Sequence, residues 1–358
     1  MKTSQKPISV YIHWPYCLSK CPYCDFASSV CSVIDEDKLF QGYQRDIKLW
    51  LGNRPVDTVF FGGGTPSLMS PRLVDKILNQ IGQLTSFTGN PEITIEANPD
   101  AIDICKMRQF HNLGINRLSV GVQSLVDSDL RFLGRKHTVK KALTCVREAQ
   151  TVFDRINVDL IYARPGQTLQ SWADELKTAL DLGLTHYSLY QLTIEDNTVF
   201  GRKKIKPLSD DAAARLYQLT DEIMNTANLP AYEVSNYAKS GEECRHNLAY
   251  WTGEDYVGIG PAAHGRVGLK AIGNPRGLSE WLDKGPTIEN RTNSQKHMER
   301  LLMGLRLRQK WYPKNGLNSS IIKRFVQDGF LEENNVGIRP TLSGTLILDK
   351  LILDLMPN

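Results

Sequence analysis

Short runs of β-branched and aromatic residues alternate with longer segments of helical periodicity over the first two thirds of the chain. Six such runs predict strands, at 8–14, 56–61, 92–98, 117–123, 156–162 and 186–192. The segments between them predict helices, of which the clearest are 71–84, 138–153 and 168–182. This alternation predicts a parallel sheet with right-handed crossovers. Because six units fall short of the eight that close a complete barrel, the pattern favours an α/β partial (β/α)6 barrel, open along one side, over a doubly wound sheet.

The pattern changes after residue 267, where glycine and proline interrupt the chain before helical segments of a different kind begin. Segments 296–309, 316–329 and 343–355 predict short helices around a turn. We therefore predict three parts, which are a barrel over 1–267, a linker over 268–290 and a small helical domain, similar to a winged helix, over 291–358. A winged helix can bind DNA, but no strong basic stripe accompanies this one, so a docking or lid role is favoured.

Composition and charge narrow the classes of protein that the chain can represent. Of its 358 residues 41% are hydrophobic and 23% are charged, which is ordinary for a globular protein and excludes a disordered or fibrous chain. No run of eighteen apolar residues predicts a membrane span. The first ten residues lack the apolar stretch of a secretory signal, so we expect the protein to be cytoplasmic. The net charge of +4 is evenly spread and does not indicate a nucleic-acid partner.

Three cysteines, Cys17, Cys21 and Cys24, form a Cys-x3-Cys-x2-Cys motif on the loop that leaves the first predicted strand. Clustered cysteines in a reducing compartment indicate metal or redox chemistry. Three thiolates are one ligand fewer than a structural zinc or a fully protein-ligated iron–sulfur cluster requires. The motif therefore favours a 4Fe-4S cluster whose fourth iron is open to an amino-acid-like chelator. The alternatives are a zinc site completed by His13 or Cys31, and reduced cysteines without a metal.

Polar and glycine residues close the other predicted strands. The second strand runs into GGGTPS (62–67), the third ends with Glu96 and Asn98, the fourth ends with Gln123, and the fifth contains Asp159. In either α/β architecture, chemistry gathers at the carboxyl ends of the parallel strands. We expect these residues to share one rim. The glycines there would let a ligand approach the backbone closely.

The cysteine spacing after the first strand of a partial barrel resembles the radical S-adenosylmethionine family. Further motifs are similar to those of one branch of that family, which contains oxygen-independent coproporphyrinogen III oxidases and haem chaperones. These motifs are Tyr11-x-His13-x-Pro15, GGGTPS (62–67), IEANP (95–99), VGVQS (120–124), LGRKHT (133–138) and NVDLIYARPGQT (157–168). The resemblance implies that Cys17, Cys21 and Cys24 bind a 4Fe-4S cluster and that its open iron binds S-adenosylmethionine. The resemblance also implies a set of contacts to S-adenosylmethionine: Tyr11, Gly63, Gly64, Thr65, Glu96, Gln123, Arg135 and Asp159.

Three features distinguish the chaperones from the oxidases within this branch. The oxidases have a fourth cysteine where this chain has Phe26, and they have an N-terminal extension where this chain has only ten residues before Tyr11. The segment CRHNLAYW (244–251) is similar to the HNxxYW haem-binding motif of the chaperones. The resemblance implies that His246 is an axial haem ligand, with Tyr250 and Trp251 packing on the macrocycle or fixing the loop.

The remaining cysteines and one further histidine lie outside these motifs, and we assign them no ligand. Cys244 is interpreted as a packing residue, as are Cys31, Cys105 and Cys145. His264, in the glycine-rich segment 258–266, is expected either to border the S-adenosylmethionine pocket or to form a structural turn.

The favoured hypothesis is a haem chaperone that binds haem and transfers it to apo-haemoproteins such as respiratory enzymes. It would hold a 4Fe-4S cluster with exchangeable S-adenosylmethionine and need not cleave that cofactor during each delivery, so no catalytic residue is assigned. One alternative is an enzyme that decarboxylates coproporphyrinogen III by radical hydrogen abstraction. Another is a radical enzyme acting on a different tetrapyrrole.

Overall fold

A computed structural model describes residues 6–356, and its centre is a set of six parallel strands. These strands are β1 (Ile8–Trp14), β2 (Val56–Gly63), β3 (Phe87–Ala97), β4 (Arg117–Gln123), β5 (Arg155–Tyr162) and β6 (His186–Gln191). Each overlaps a predicted strand, and they lie side by side in chain order. The predicted partial barrel is thereby confirmed.

Five more strands widen this sheet to eleven, and they are β7 (Asn236–Ala238), β8 (Tyr256–Ile259), β9 (His264–Val267), β10 (Lys270–Gly273) and β11 (Thr287–Asn290). Strand β8 runs parallel to β1, and β9, β10 and β11 follow it in antiparallel order. Strand β7 closes the opposite edge, antiparallel to β6.

The segment 268–290, predicted as a linker, instead continues the sheet through β10, the helix Leu278–Lys284 and β11. Gly268 closes the hairpin between β9 and β10 with a φ of 60°, a conformation that glycine adopts without steric cost. The glycines of this segment therefore indicate tight turns between strands. Strand β11 is exposed along its whole length, so it carries no hydrophobic alternation that would reveal it in the sequence.

Helices cover the outer face of the sheet and form much of the C-terminal region. They are α1 (Glu36–Trp50), α2 (Pro71–Leu84), α3 (Ile104–Asn112), α4 (Asp127–Phe132), α5 (Val139–Gln150), α6 (Leu169–Leu180), α7 (Val199–Arg202), α8 (Asp210–Thr226), α9 (Arg245–Trp251), α10 (Leu278–Lys284), α11 (Asn293–Gly304), α12 (Ser319–Gln327), α13 (Leu342–Leu346) and α14 (Leu348–Leu355). Helix α2 has the predicted bounds because Pro71 begins it and the Ser70 side chain accepts a hydrogen bond from the Leu73 amide. No helix in residues 6–356 is long and apolar enough to cross a bilayer.

Alternation along the strands separates the packed side of the sheet from the side that faces the barrel interior. On β4, Leu118 and Val120 are fully buried in the core beneath the helices. Their neighbours Arg117, Ser119 and Gly121 point to the other side and line an internal cavity. Because side chains of a strand alternate between its two faces, one strand supplies both the core and the site.

The C-terminal region has its own hydrophobic core, formed by α11, α12, α14 and a hairpin of β12 (Leu331–Glu333) and β13 (Ile338–Pro340). The predicted helix at 343–355 is interrupted at Ile347, where the backbone leaves helical geometry with a φ of −120° and a ψ of 25°. This region contacts the barrel through the Arg308 amide, which donates to the Tyr232 carbonyl at 3.0 Å, and through an ion pair between Arg266 and Glu299.

Candidate functional site

A cavity of about 530 Å³ occupies the inside of the partial barrel. We call its outer end, lined by the loop 17–28 and by residues 63–66, the rim, and its inner end, lined by Arg117, His246 and Tyr250, the floor. The twelve residues predicted for the site all line this cavity: Tyr11, Cys17, Cys21, Cys24, Gly63, Gly64, Thr65, Glu96, Gln123, Arg135, Asp159 and His246. The structure thus brings the predicted residues together, while their individual roles stay predictions.

The loop that carries the three cysteines is held in a folded conformation. Its two ends pair as a short parallel ladder of Tyr16–Cys17 with Ser29–Val30. Within the loop, the Lys20 ammonium donates to the carbonyls of Phe26 and Ser28 at 2.8 and 3.0 Å. The Cys24 amide donates to the Cys21 carbonyl at 3.1 Å. The loop therefore presents three half-buried thiols to one end of the cavity.

The donor set fits a three-cysteine 4Fe-4S cluster. Thiolates are the ligands such clusters use, and each cysteine binds a different iron. Within residues 6–356, no three His, Cys, Asp or Glu side chains are grouped closely enough to hold a single metal ion. Burial raises the pKa of the Cys24 thiol to about 11 in the protein without a metal, and binding to iron would favour its thiolate.

The two residues suggested as a fourth zinc ligand are placed elsewhere or are already engaged. The ring of His13 is hydrogen-bonded on both sides, at 2.8 Å to the Ala27 carbonyl oxygen and at 3.2 Å to the Tyr11 hydroxyl. Cys31 is exposed, lies outside the cavity lining and donates to the Val33 carbonyl at 2.9 Å. This arrangement gives no support to the zinc alternative.

The glycines that end β2 pack directly against the chain that leads into the cysteine loop. A Cβ atom at Gly63 would lie 2.7 Å from the His13 ring, and the φ of Gly63 is 107°. A Cβ at Gly64 would lie only 2.4 Å from the Tyr16 carbonyl oxygen. The Gly64 and Thr65 amides donate to the carbonyls of Trp14 and Tyr16 at 2.7 and 2.8 Å. Glycine is therefore required here by the close approach of two backbone segments.

Arg135 joins the rim to the neighbouring strand ends. Its guanidinium donates to Asn98 Oδ1 at 2.5 Å and to the Gly121 carbonyl at 2.8 Å, and it lies 3.6 Å from the Cys21 sulfur. Its Nε is buried without a hydrogen-bond partner among the described residues. Gln123 ends β4, the strand that contains Gly121, and its φ is 68°. A residue with a side chain keeps this conformation only when its surroundings enforce it.

Two carboxyl groups, Glu96 and Asp159, lie between the rim and the floor. Burial, reinforced by the nearby Asp159, raises the pKa of Glu96 to about 8, although the Gly63 amide donates to it. Burial also raises the pKa of Asp159, which accepts hydrogen bonds from Ser119 at 3.2 Å and from Asn157 at 2.7 Å. Glu96 is therefore largely protonated at neutral pH and can donate a hydrogen bond into the cavity.

His246 lies at the floor, near the start of α9, and is 1% exposed. Its Nδ1 lies 2.7 Å from Thr58 Oγ1 and its Nε2 lies 2.7 Å from the Tyr250 hydroxyl. Its ring stacks on Phe60 at a centroid distance of 5.1 Å. Burial lowers the pKa of His246 to about 3, so the imidazole is neutral at physiological pH. Neutral imidazole is the form that binds metals, but here both nitrogens already have partners.

The other interpretations of single residues have mixed outcomes. Cys145 and Cys244 are buried as expected, and the Cys244 thiol donates to Glu92 at 3.4 Å. Cys31 and Cys105 are exposed, so their interpretation as packing residues is wrong. His264 is exposed at the start of β9 and does not line the cavity.

Sequence reasoning missed Arg117, which lines the floor and is 2% exposed. Gln123 lies six residues further along β4, so the two side chains belong to the same face of the strand. The alternation of side chains along β4 was the sequence signal for Arg117, although this residue begins the strand and the other site residues lie near strand ends.

Comparison with known proteins identifies the family to which the chain belongs. The radical SAM superfamily model matches residues 11–179. The heme chaperone HemW of Haemophilus influenzae is 34% identical, over 97% of this chain and 97% of its own length. The chain belongs to the HemW family of radical SAM proteins. The HemW of Buchnera aphidicola from Acyrthosiphon pisum is 40% identical, over 74% of this chain and 71% of its own length.

Among solved structures, the fold of this HemW family member is similar to that of coproporphyrinogen III oxidase (HemN) from Escherichia coli. The TM-score is 0.84, and the match covers 99% of this chain and 91% of the oxidase at 20% sequence identity. At 20% sequence identity, this similarity shows a shared fold and nothing about a shared activity. The predicted membership of the radical SAM branch with oxidases and chaperones is confirmed.

Proposed function

We propose that this protein is a haem chaperone, which binds haem in the barrel cavity and transfers it to apo-haemoproteins. The observation that carries the proposal is that one cavity joins the three-cysteine loop at its rim to His246 and Tyr250 at its floor. Relatives that match over most of the chain carry the name heme chaperone. The site and the family therefore support the same function.

At the rim, Cys17, Cys21 and Cys24 would hold a 4Fe-4S cluster, and S-adenosylmethionine would bind its open iron. When bound, the cluster supplies an electron that can break the sulfonium bond of S-adenosylmethionine. The protein's own contribution is orientation, because Gly63 and Gly64 let the end of β2 pack tightly against the chain that leads into the cysteine loop and so hold that loop in place. Arg135 and Gln123 offer hydrogen-bonding groups near the rim, and Glu96 and Asp159 offer them further into the cavity.

At the floor, aromatic rings form flat walls suited to a macrocycle. The Tyr11 ring lies 6.3 Å from Phe60 and 6.4 Å from His246, and Tyr250 meets His246 edge-on at 4.9 Å. For His246 to bind haem iron, its Nε2 would have to exchange the Tyr250 hydroxyl for the metal. Burial keeps this imidazole neutral and so ready for that exchange.

The oxidase hypothesis is less well supported. The position of the fourth oxidase cysteine is held by Phe26, whose side chain is 58% exposed at the mouth of the cavity. An aromatic side chain cannot act as a thiolate ligand or proton donor there.

We further propose that the acceptors are apo-haemoproteins such as respiratory enzymes and that transfer takes place in the cytoplasm. The proposed thiolate site of Cys17, Cys21 and Cys24 supports this location, since thiols stay reduced in that compartment.

A comparison of haem binding and turnover tests the proposed function. The full chain would be reconstituted anaerobically with iron and sulfide, titrated with haem by absorbance, and assayed in parallel for coproporphyrinogen III conversion. We expect stoichiometric haem binding without turnover, and a loss of affinity of about tenfold or more in His246→Ala. His264→Ala is the matched control, since that histidine is exposed and outside the cavity. Turnover without haem binding would overturn the proposal in favour of the oxidase.

A further inference from the structure

Arg117 occupies an unusual position, because it is a charged residue at the amino end of a central barrel strand. It pairs with Thr94 of β3 on one side and with Arg155 of β5 on the other. Its side chain is 2% exposed, yet it lines the cavity. From Arg117 to Gln123, β4 extends over roughly 20 Å at the usual rise per residue, so this guanidinium lies far below the rim.

The guanidinium of Arg117 has no ion pair within 4.0 Å and no side-chain hydrogen bond among residues 6–356. The carboxylate whose charge most directly faces it, Glu92, forms its ion pair with Arg155 at 2.7 Å. Glu92 also accepts hydrogen bonds from the amides of Arg245 and His246 at 3.2 and 3.0 Å. Despite burial, the charge of Arg117 lowers the pKa of Glu92, but no carboxylate of the described residues lies within 4.0 Å of the guanidinium. An acid group that enters the cavity can therefore form a direct ion pair there.

The cavity's own acids do not meet this need. The charge of Arg117 acts against the burial that raises the pKa values of both Glu96 and Asp159, but neither carboxyl group forms an ion pair with Arg117 within 4.0 Å. Asp159 already accepts hydrogen bonds from Ser119 and Asn157. The positive charge of Arg117 therefore remains available to an anionic group that enters the cavity.

The residues around Arg117 indicate what kind of ligand would carry this anionic group. His246 shares the floor, and the charge of Arg117 adds to the burial that lowers the histidine's pKa. The rings of Phe60 and Tyr250 flank that histidine. A flat, apolar body with an acid at its edge would fit aromatic walls beside a single guanidinium, since the planar fork of arginine matches a carboxylate in two parallel hydrogen bonds.

We propose that Arg117 is a carboxylate-binding residue at the floor of the cavity, and that it pairs with an acid group of the ligand that reaches the floor. The inference rests on the proposed function in naming the source of that group, a haem propionate, because the methionyl carboxylate of S-adenosylmethionine would be held at the rim by the open iron. Arg135 is already engaged by Asn98 and Gly121 at the other end, so the two arginines serve different ends of the cavity.

The test measures ligand affinity in the full chain, reconstituted anaerobically with iron and sulfide. Haem, haem dimethyl ester and S-adenosylmethionine would each be titrated into the wild type, Arg117→Met and Arg117→Lys. If a propionate is the partner, we expect Arg117→Met to weaken haem binding about 10- to 100-fold, as for a buried charge-assisted pair. Arg117→Lys should retain more of the affinity. The ester should bind the wild type weakly and lose nothing further in Arg117→Met.

Arg54→Met is the matched control, because Arg54 is ion-paired with Asp255 at 2.7 Å and lies outside the cavity lining. We expect its haem and S-adenosylmethionine affinities to stay near those of the wild type. Iron content and thermal unfolding would be compared for every variant. If Arg117→Met does not fold, the ester and Arg117→Lys titrations decide the outcome.

The possible results distinguish failure of this inference from failure of the proposed function. A loss of S-adenosylmethionine affinity with unchanged haem affinity would overturn the inference, because it would show that Arg117 acts on the cofactor at the rim. Unchanged affinity for both ligands in folded Arg117→Met would overturn the inference. A wild type that binds no haem would instead contradict the proposed function, whereas haem binding that is unchanged in Arg117→Met would contradict the inference alone.

Discussion

The rim and the floor of the cavity differ in how their side chains are held. At the rim, Cys17, Cys21 and Cys24 lie half-buried on one loop. At the floor, Arg117 and His246 are almost completely buried and come from parts of the chain that are far apart in sequence. A loop near the surface can accept and exchange a bound group, whereas side chains packed inside a barrel keep one geometry. The rim is thus suited to a replaceable cofactor, and the floor to selecting the shape and charge of a ligand.

The two cavity arginines show the same difference. Arg135 at the rim is engaged by Asn98, Gly121 and the Cys21 sulfur, so the protein itself satisfies much of its hydrogen-bonding capacity. Arg117 at the floor forms no ion pair within the described chain, and Glu92 pairs with Arg155 instead. This difference supports the proposed ligand-binding role of Arg117, while the contact of Arg135 with S-adenosylmethionine stays a prediction.

The largest expected effect is at the rim, where Cys21→Ala removes one of only three thiolate ligands. We expect this variant to lose the iron–sulfur absorbance and nearly all of its iron and sulfide after anaerobic reconstitution, because two cysteines do not hold a cluster stably. Cys105→Ala is the control, since Cys105 is an exposed thiol outside the cavity. A Cys21→Ala protein that keeps a full cluster would contradict the assignment of Cys21 as a cluster ligand.

An intermediate effect is expected between rim and floor, from the pH dependence of Glu96. Burial and the neighbouring Asp159 raise the pKa of Glu96 from 4.5 to about 8, while Arg117 and the Gly63 amide act in the opposite direction. The folded protein therefore holds this proton more tightly than the unfolded chain does. Its contribution to stability is complete below the unfolded pKa and is lost as the pH rises from about 4.5 through about 8.

The expected slope of this loss is at most about 1.4 kcal/mol per pH unit, the value for one proton. Glu96→Gln should flatten the curve of unfolding free energy against pH in this range, measured by denaturant titration of the ligand-free protein. Glu36→Gln provides a comparison on α1, outside the cavity. If Glu96→Gln has the same pH profile as the wild type, Glu96 does not carry a raised pKa.

The smallest effect is expected at the floor, from removal of the hydroxyl that occupies His246 Nε2. Tyr250→Phe should destabilise the ligand-free protein by about 1 kcal/mol, since it leaves a buried nitrogen without its partner. Haem affinity should rise about fivefold, because that hydrogen bond no longer has to be exchanged for iron. Thermal unfolding and haem titration measure the two changes.

Tyr256→Phe is the control for this prediction, because its ring packs 4.4 Å from Tyr250 but lies outside the cavity lining. A fall in haem affinity in Tyr250→Phe would show that the Tyr250 hydroxyl itself contacts the ligand, and that His246 keeps its hydrogen bond when haem is bound.

The parts of this protein that sequence reasoning predicted well are those encoded by neighbouring residues. The cysteine motif, the glycines of β2 and the HNxxYW segment are short and contiguous, so their chemistry is visible without a fold. The six barrel strands were also predicted, because each is a compact apolar run. By contrast, β10 and β11 were missed, since short strands between turns have too few buried positions to leave a pattern.

By itself, the sequence determined the partial barrel, the cysteine loop and the residues that end the strands, because strand periodicity and motif spacing are local properties. Only the tertiary structure decided that Arg117 faces the same cavity as His246 and lacks an ion-pair partner, and that both nitrogens of His246 are hydrogen-bonded. The physical reason is that pairing and burial depend on which distant segments the sheet brings together. Glu92 lies next to Arg155 and the amide of His246 although it is 63 and 154 residues away from them in the chain.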